Sequence, residues 1–256
     1  MIMVSNSSPI LSVVIPSYNQ FDGLKKTVEK VKGFSEVEIV VVDGGSSDGS
    51  AQWILDNQSN IDKIRVAPDN GIYDAMNKGI ELSSGRWLWF LGTGDVPKEG
   101  AIDKILEHVK SDSESDIHGF CVKLLPPLEP GVPGHYTPNF TGDLKWRNTL
   151  HHQGAIYRKS SVEKYMYDTR FKILADYHLN LKLWSDGALC ICHDLTIAEV
   201  DAGGVSRVFN RRLYAEERLL KKDALGGGIS AMVQAVWTNL KYLKKQLAKI
   251  SPKADS

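Results

Sequence analysis

The chain has 256 residues, of which 42% are hydrophobic and 24% charged, values that suit a soluble globular fold with a full core rather than a fibrous or disordered chain. Its three cysteines, Cys121, Cys190 and Cys192, are sparse and odd in number, which excludes a disulfide scaffold and suits a reducing compartment. The formal net charge is zero, yet from Gly203 onward there are 11 Lys+Arg against 4 Asp+Glu, so an acidic body carries a basic tail.

Taken in chain order, Ser12–Pro16 reads as a first strand, with Tyr18 and Asn19 opening the loop after it. Asp22–Lys32 has helical spacing. Val37–Val42 is a continuous Val/Ile run, the pattern of a strand covered by helices on both faces. A glycine-rich turn, DGGSSDGS, leads into a helix over Ser50–Asn57, with Ser47 or Asp48 near its N-cap. Ile64–Ala67 is a third strand, Tyr73–Leu82 a helix and Trp87–Leu91 a fourth strand. This alternation over the first hundred residues predicts a parallel sheet with right-handed crossovers.

The rhythm then changes. Gly100–Lys110 is expected to be a helix, Asp116–Leu124 a strand, and Pro126–Pro138 a proline-rich loop bordering a site. Gln153–Tyr157 and Leu189–His193 read as strands, with a helix over Asp176–Ser185 between them. No internal repeat is evident. A domain over residues 1–225 is expected, with a nucleotide-binding front half and an acceptor-binding back half, followed by a separate segment over 226–256.

Two acids stand out because each ends an apolar run: Asp43 after Val37–Val42, and Asp95 just past Trp87–Leu91. Carboxyl ends of parallel strands are where open α/β sheets bind ligands, and two acids there can grip a polar ligand and a hard cation. The turn after Asp43 lacks the G-x-G-x-x-G order of dinucleotide-binding enzymes, so a dehydrogenase is disfavoured. Cys190, Cys192 and His193 lack the spaced second pair of a structural zinc site and are expected to be buried strand residues.

Five segments, VVIPSYN (Val13–Asn19), EIVVVDGGSSDGS (Glu38–Ser50), DNGIYDAMNKGI (Asp69–Ile80), GRWLWFLGTGD (Gly85–Asp95) and LADYHLNLKL (Leu174–Leu183), together resemble the family 2 glycosyltransferases in order and spacing. The resemblance covers roughly residues 10–210 and, through DNGIYDAMNKG and GGVS, is greatest to bacterial members that build surface polysaccharides, including those of colanic-acid type clusters. It implies an α/β GT-A fold, Rossmann-like, with a mostly parallel central sheet flanked by helices. It also implies a nucleotide-sugar donor, most readily UDP-linked, a divalent metal (Mn²⁺ or Mg²⁺), and inversion at the anomeric carbon. The expected acceptor is a hydroxyl of a saccharide or lipid-linked saccharide; nucleic acid is not an expected partner.

The resemblance assigns the donor to Pro16, Tyr18, Asn19, Asp43, Asp69, Gly71, Asn77, Thr93 and Gly94. Tyr18 offers a flat face for a nucleobase and Asp43 an acceptor for a base imide N–H, although Asp43 would equally serve as a turn residue. Asp69 or Asn70 could simply cap the helix that follows. Where the family shows D-x-D or D-D, this chain reads Gly92-Thr93-Gly94-Asp95, so Asp95 alone is left for the metal. That loss is tolerable, because magnesium-like ions often take one or two carboxylates and complete their shell with phosphate oxygens and water. It leaves open weaker metal affinity, or a catalytically silent sugar-nucleotide-binding subunit. Asp176 matches the family's base, with Ala175 where Glu is frequent; the alternative is a helix cap. His152 and Gln153 are expected to meet the acceptor, Gly203–Ser206 to shape a loop near the donor phosphates, and Arg207, Arg211 and Arg212 to meet an anionic acceptor. A nucleotidyltransferase is the other enzyme class to weigh, against the lack of a basic, glycine-rich triphosphate loop.

The last element runs from Ile229 to Ile250. Ile229, Val233, Val236, Leu240, Leu243, Leu247 and Ile250 recur in four- and three-residue steps on one helical face. Lys241, Lys244, Lys245 and Lys249 fill its second half, and no acid lies between Ala224 and Ala254. Such a helix packs on the domain, pairs in a homo-oligomer, or lies on an anionic membrane. No leader of charged-then-apolar type precedes the first strand, and the longest uncharged run, Ala224–Leu240, is short and polar for a span. A cytoplasmic protein is expected, with a peripheral position on the inner face of the cytoplasmic membrane as an option.

Overall fold

The computed structural model describes residues 8–128, 132–201, 210–226 and 229–250. Gly203–Ser206, Arg207 and Pro130 therefore lie outside the described residues. One sheet runs through the body. Its strands are β1 (Leu11–Ser17), β2 (Val37–Asp43), β3 (Lys63–Val66), β4 (Trp87–Phe90), β5 (Val96–Pro97), β6 (Ile117–Leu125), β7 (His135–Tyr136), β8 (Ala155–Arg158) and β9 (Cys190–Asp201). The spatial order is β3-β2-β1-β4-β8-β6-β9-β5, with β7 on β6. Strands β1 to β4 are parallel, as the first hundred residues predict. Beyond β4 the pairing is mixed: β8 is antiparallel to both β4 and β6, β9 is parallel to β6, and β5 is antiparallel to β9.

The helices are α1 (Phe21–Val31), α2 (Ser50–Asp56), α3 (Ile72–Leu82), α4 (Ala101–Lys110), α5 (Lys159–Glu163), α6 (Ala175–Ser185), α7 (Arg211–Leu225) and α8 (Ile229–Ile250). They cover the sheet on both sides. Residues of β1, β2 and β4 are buried along their whole length, and alternate residues feed two cores. Val13, Ile15, Val41, Trp87 and Trp89 join α1 and α4 in one; Val14, Val40, Leu88 and Phe90 join α3 and α6 in the other. Each such side chain, taken from water, contributes about 1.5–3 kcal/mol. Gly79 lets α3 close on β1, since a Cβ there would sit 2.3 Å from Val14 Cγ1.

Three expectations need correction. Strand β9 continues to Asp201 rather than stopping at His193: it keeps its register on β6 past irregularities at Phe120/Cys121 and Cys121/Val122, burying Ile197 and Ala198. Helix α7 was not anticipated, although Asn210 caps it by accepting from Leu213 N and places Leu213, Tyr214 and Leu220 inward. Its start engages Arg212, whose Nε lies 3.7 Å from Glu216. Of the three cysteines only Cys121 is buried; Cys190 is half-buried and Cys192 exposed, at an end of β9 where Ile191 on the other face is exposed as well.

Candidate functional site

Strands β1, β2 and β4 end at one edge, with Ser17 opposite Asp43 and Val14 opposite Phe90. The loops leaving that edge are tied to one another. Asp43, fully buried, accepts through Oδ1 from Gly45 N (3.0 Å) and Ser46 N (2.7 Å), and through Oδ2 from Ser46 Oγ (2.7 Å). It thus builds the turn that follows it, the turn role weighed in the sequence. Asn19, at φ +50°, donates from its backbone N to Ser46 Oγ (2.8 Å), and its Oδ1 accepts from Ser47 N (2.8 Å). Asp48 accepts from Phe21 N and from Ser50 N, which pins the start of α2 to the start of α1. Tyr18, just past Pro16 and Ser17, projects from this frame at 62% exposure.

Asp69 closes the third side. Its Oδ1 accepts from Gly71 N (2.8 Å) ahead of α3, and its carboxylate stands so near Gly44 that a Cβ there would meet Oδ2 at 2.6 Å. The turns of Asp43 and Asp69 therefore touch. Asn77 is different. Its Nδ2 donates to Tyr167 O (2.8 Å) and its Oδ1 accepts from Tyr167 N (2.7 Å), so the amide braces the chain ahead of α6 instead of turning to a donor.

Asp95 lies past β4, 6% exposed. Its Oδ2 accepts from Gly92 N (2.8 Å) and from Gln153 Nε2 (2.8 Å). The loop carrying it is pinned to α1: Gly94, at φ +95°, donates its N–H to Thr27 Oγ1 (3.0 Å) and Gly23 O (3.1 Å), and the Thr27 hydroxyl is 3.1 Å from Asp95 O. Thr93 forms the outer part of the same turn. Gln153 is itself fixed, because Trp89 Nε1 donates to its carbonyl (2.9 Å). Gln153 consequently orients the acid through its Nε2. A buried carboxylate just after a glycine-rich turn at a strand end is a fitting ligand for a single-acid magnesium or manganese site.

Asp176 opens α6 from the other side. Its Oδ1 accepts from Tyr73 Oη (3.1 Å) and its Oδ2 from Asn148 Nδ2 (3.2 Å). Burial and the neighbouring Asp176 charge hold the Tyr73 phenol well above its ordinary value, so it stays a donor. Asn148 is steadied by Asn180, one turn along α6, whose Oδ1 accepts from Tyr157 Oη (2.7 Å). His152 precedes Gln153, and its ring nitrogens are buried. It stacks on Phe90 (5.5 Å), approaches Tyr167 edge-on (6.0 Å), and its ring nitrogens have no hydrogen-bond partner among the described residues. Burial lowers its pKa despite the opposing pull of Asp176, which keeps the ring neutral near pH 7.

Asp95 and Asp176 are joined by a run of contacts, from Asp95 to Gln153, from His152 to Tyr167, and from Tyr167 to Tyr73, which donates to Asp176. Thr27, Asn148 and Tyr73 were missed as parts of this site. Only Asn180, four residues from Asp176 on one helical face, carried a sequence signal for the network. A cavity of about 280 Å³, lined by residues including Asn70, Gly71, Tyr73, Lys172 and Arg212, opens beside the Asp69 turn. A larger hollow of about 380 Å³ lies by Arg170, Glu216 and Asp223, away from the sheet-edge acids. There Asp168, His178 and Asp223 bring ligand atoms within 4.8 Å of one another, but the Arg170 guanidinium already pairs with both carboxylates.

Residues 12–166 match the family model described as glycosyl transferase family 2. An uncharacterized glycosyltransferase of Mycobacterium tuberculosis is 32% identical over 211 residues, 78% of each chain. A PGL/p-HBAD biosynthesis glycosyltransferase of Mycobacterium bovis is 28% identical, over 83% of this chain and 87% of that one. Among solved structures, S. aureus TarS 1-349 in complex with UDP-GlcNAc superposes with a TM-score of 0.67 at 14% identity, covering 93% of this chain and 73% of TarS. The mannosyltransferase PcManGT of Pyrobaculum calidifontis, in complex with GDP-Man and Mn²⁺, gives 0.56 at 15% identity, covering 96% and 77%. The fold is shared with both, as expected for a GT-A architecture.

Proposed function

The chain belongs to glycosyl transferase family 2, and we propose that it is an inverting enzyme that moves a hexose from a UDP-sugar to a hydroxyl of a saccharide or lipid-linked saccharide during surface-polysaccharide synthesis. Support for the donor comes from the TarS and PcManGT complexes with UDP-GlcNAc and GDP-Man, and support for the pathway class from the relative in PGL/p-HBAD biosynthesis. In this assignment Tyr18 stacks on the base, and the Asp43 and Asp69 turns, with Pro16, Asn19 and Gly71, form the nucleoside wall. Thr93 and Gly94 give the diphosphate close backbone approach, and Asp95 holds a divalent cation. A cation bound there would supply Lewis-acid neutralisation of the leaving diphosphate.

The observation that carries the proposal is the run of contacts joining the two acids: Asp95 accepts from Gln153, the neighbouring His152 meets Tyr167, and Tyr167 packs on Tyr73, which donates to Asp176. Inversion needs one in-line displacement, with the acceptor oxygen attacking the anomeric carbon as the bond to the phosphate oxygen breaks. Asp176 takes the acceptor proton as that bond forms, since a free hydroxyl would be far too weakly acidic near pH 7. Tyr73 and Asn148 each donate to one Asp176 oxygen, aiming the carboxylate while neutral His152 fills the floor. Membrane attachment at the inner face of the cytoplasmic membrane would bring a lipid-linked acceptor to this side. No helix among the described residues is long and apolar enough to cross a membrane.

The test is a thermal-shift panel of UDP- and GDP-sugars with and without Mn²⁺, followed by NMR of the glycoside formed. A UDP-sugar should raise the melting temperature most, because a ligand of the native state stabilises it. The product should have the anomeric configuration opposite to the donor's. A product that retains the donor configuration defeats the assignment of Asp176, and a panel in which no sugar nucleotide shifts the melting point defeats the donor site.

A further inference from the structure

Cys190 and Cys192 stand two residues apart on β9, so both point to one face of the sheet, and their sulfurs are 3.9 Å apart. Strand β6 runs along one side of this stretch, with Ile117 opposite Cys190 and Gly119 opposite Cys192, whereas β5 on the other side reaches only Ala198 and Glu199. Cys192 is exposed and Ile191 beside it is 46% exposed, so a small reagent has access to the pair. The two thiols differ in character. A hydrogen bond from Cys190, joined by one from the Phe140 N–H, lowers the Cys192 thiol to about 7 against the opposing effect of burial. That same contact, with burial, pushes the Cys190 thiol far up, so it keeps its proton. An exposed thiolate beside a protonated thiol is the arrangement of an attacking and a resolving cysteine. Cys121 is no competitor: it is buried, and its thiol donates to His193 O and Asp194 Oδ1.

We propose that Cys190 and Cys192 form a redox-sensitive dithiol, which low-molecular-weight disulfides close into a reversible intrachain disulfide, releasing the Phe140 N–H. Residues two apart on a strand have Cα atoms about 6.6 Å apart, within the roughly 4.4–6.8 Å that disulfides bridge. The Cys192 thiolate attacks one sulfur of the small disulfide, forming a mixed disulfide as the original S–S bond breaks and one thiolate leaves. Cys190 then gives up its proton, attacks Cys192 Sγ and displaces the second thiolate. The two cysteines are oxidised, the small disulfide is reduced to two thiols, and these take up the two protons. A disulfide sulfur accepts far more weakly than a thiolate, so closure removes the charged partner of the Phe140 N–H. Phe140 lies in a short closed segment: Asn139 N donates to Thr149 O (3.1 Å) and Thr149 Oγ1 donates to Asn139 O. The segment packs over Gly119, where a Cβ would meet Leu150 Cδ1 at 2.9 Å and Cys190 Sγ at 3.6 Å. It also carries Asn148, which holds Asp176, so closure reaches the base's side of the site. That last consequence rests on the transferase assignment above; disulfide closure and the release of Phe140 do not.

The experiment exposes the full-length chain to reduced and oxidised glutathione at neutral pH, then alkylates under denaturing conditions for mass spectrometry, with hydrogen exchange followed at the Phe140 amide. The oxidised wild type should keep Cys121 as its one alkylatable thiol, carry no glutathione, and regain Cys190 and Cys192 on adding dithiothreitol. Cys190→Ser should stop at a mixed disulfide on Cys192, and Cys192→Ser should react about tenfold more slowly. The Phe140 amide should exchange about tenfold faster in the oxidised chain than in the reduced one. In each variant Cys121 should resist alkylation until denaturant is added, which reports that the chain is folded. A wild type that stays reduced, or that stops at a glutathione adduct, overturns the dithiol. An exchange rate at Phe140 unaltered by closure overturns its release.

Discussion

The two sides of the proposed site are built by opposite means. On the donor side, at the ends of β1, β2 and β4, each acid closes its own turn, Asp43 with Gly45 and Ser46, Asp69 with Gly71 and Asp48 with Ser50, and a few longer ties such as Asp48 to Phe21 N join the turns. The side around Asp176 draws Tyr73 from α3, Asn148 from the loop before β8, and Asn180 from α6 itself. A locally closed turn keeps its shape wherever its strand ends. A carboxylate held by residues from distant segments is in place only when the whole domain has folded. The donor side should thus tolerate single changes better than the base's side does.

The sharpest way to break this contrast is Asp176→Asn. Transfer should fall by about 10²–10⁴, the range for a positioned general base, while calorimetric donor binding stays within error. A variant turning over at the wild-type rate would leave Asp176 as a helix residue only. Next in size is Gln153→Ala, which removes a hydrogen bond to the candidate metal ligand. Manganese affinity, read by titration calorimetry, should weaken about 10- to 100-fold, as outer-shell changes do. Equal affinities would show that Gln153 does not orient Asp95.

Asn77→Ala should cost about 1–3 kcal/mol in urea unfolding, because a buried backbone N–H and C=O of Tyr167 lose their partner. A loss of nucleotide affinity with unchanged stability would return Asn77 to the donor side. The smallest effect concerns acid. Burial, then the charges of His108 and His118, lower His193 to about 4 from 6.5. The unfolded chain therefore binds this proton first, so stability is complete above about 6.5 and declines as pH falls toward about 4. The melting temperature followed from neutral to acid pH should show that slope, and His193→Asn should flatten it.

Strands β1, β2 and β4 were legible because both faces of each are covered, which forces continuous runs such as EIVVV and WLWFL. The acids that end those runs were legible for the same reason, since a charge directly after such a run must lie at the sheet edge. The functions of Gln153 and Asn77 were not. Each sits in a motif that suggested a ligand contact, yet each amide is claimed by a protein partner 58 and 90 residues away in sequence. Helix α7 went unseen because its buried positions include Glu216, Glu217 and Lys221, which blur the apolar period. Lys221 is accommodated there by Glu217 at 2.8 Å. The apolar stripe of α8 was visible as a period, but its outward direction came only from the burial of Thr238 and Gln234 opposite it.

Thr27 has a consequence for anyone recombining such chains. Its hydroxyl, on the second turn of α1, fastens the turn that carries an acid 68 residues later. A glycine-rich turn transplanted from a relative without its own first helix would arrive untethered, and the acid would wander. Successful chimeras should have their crossover after Asp95, so that helix and turn travel as one inherited piece.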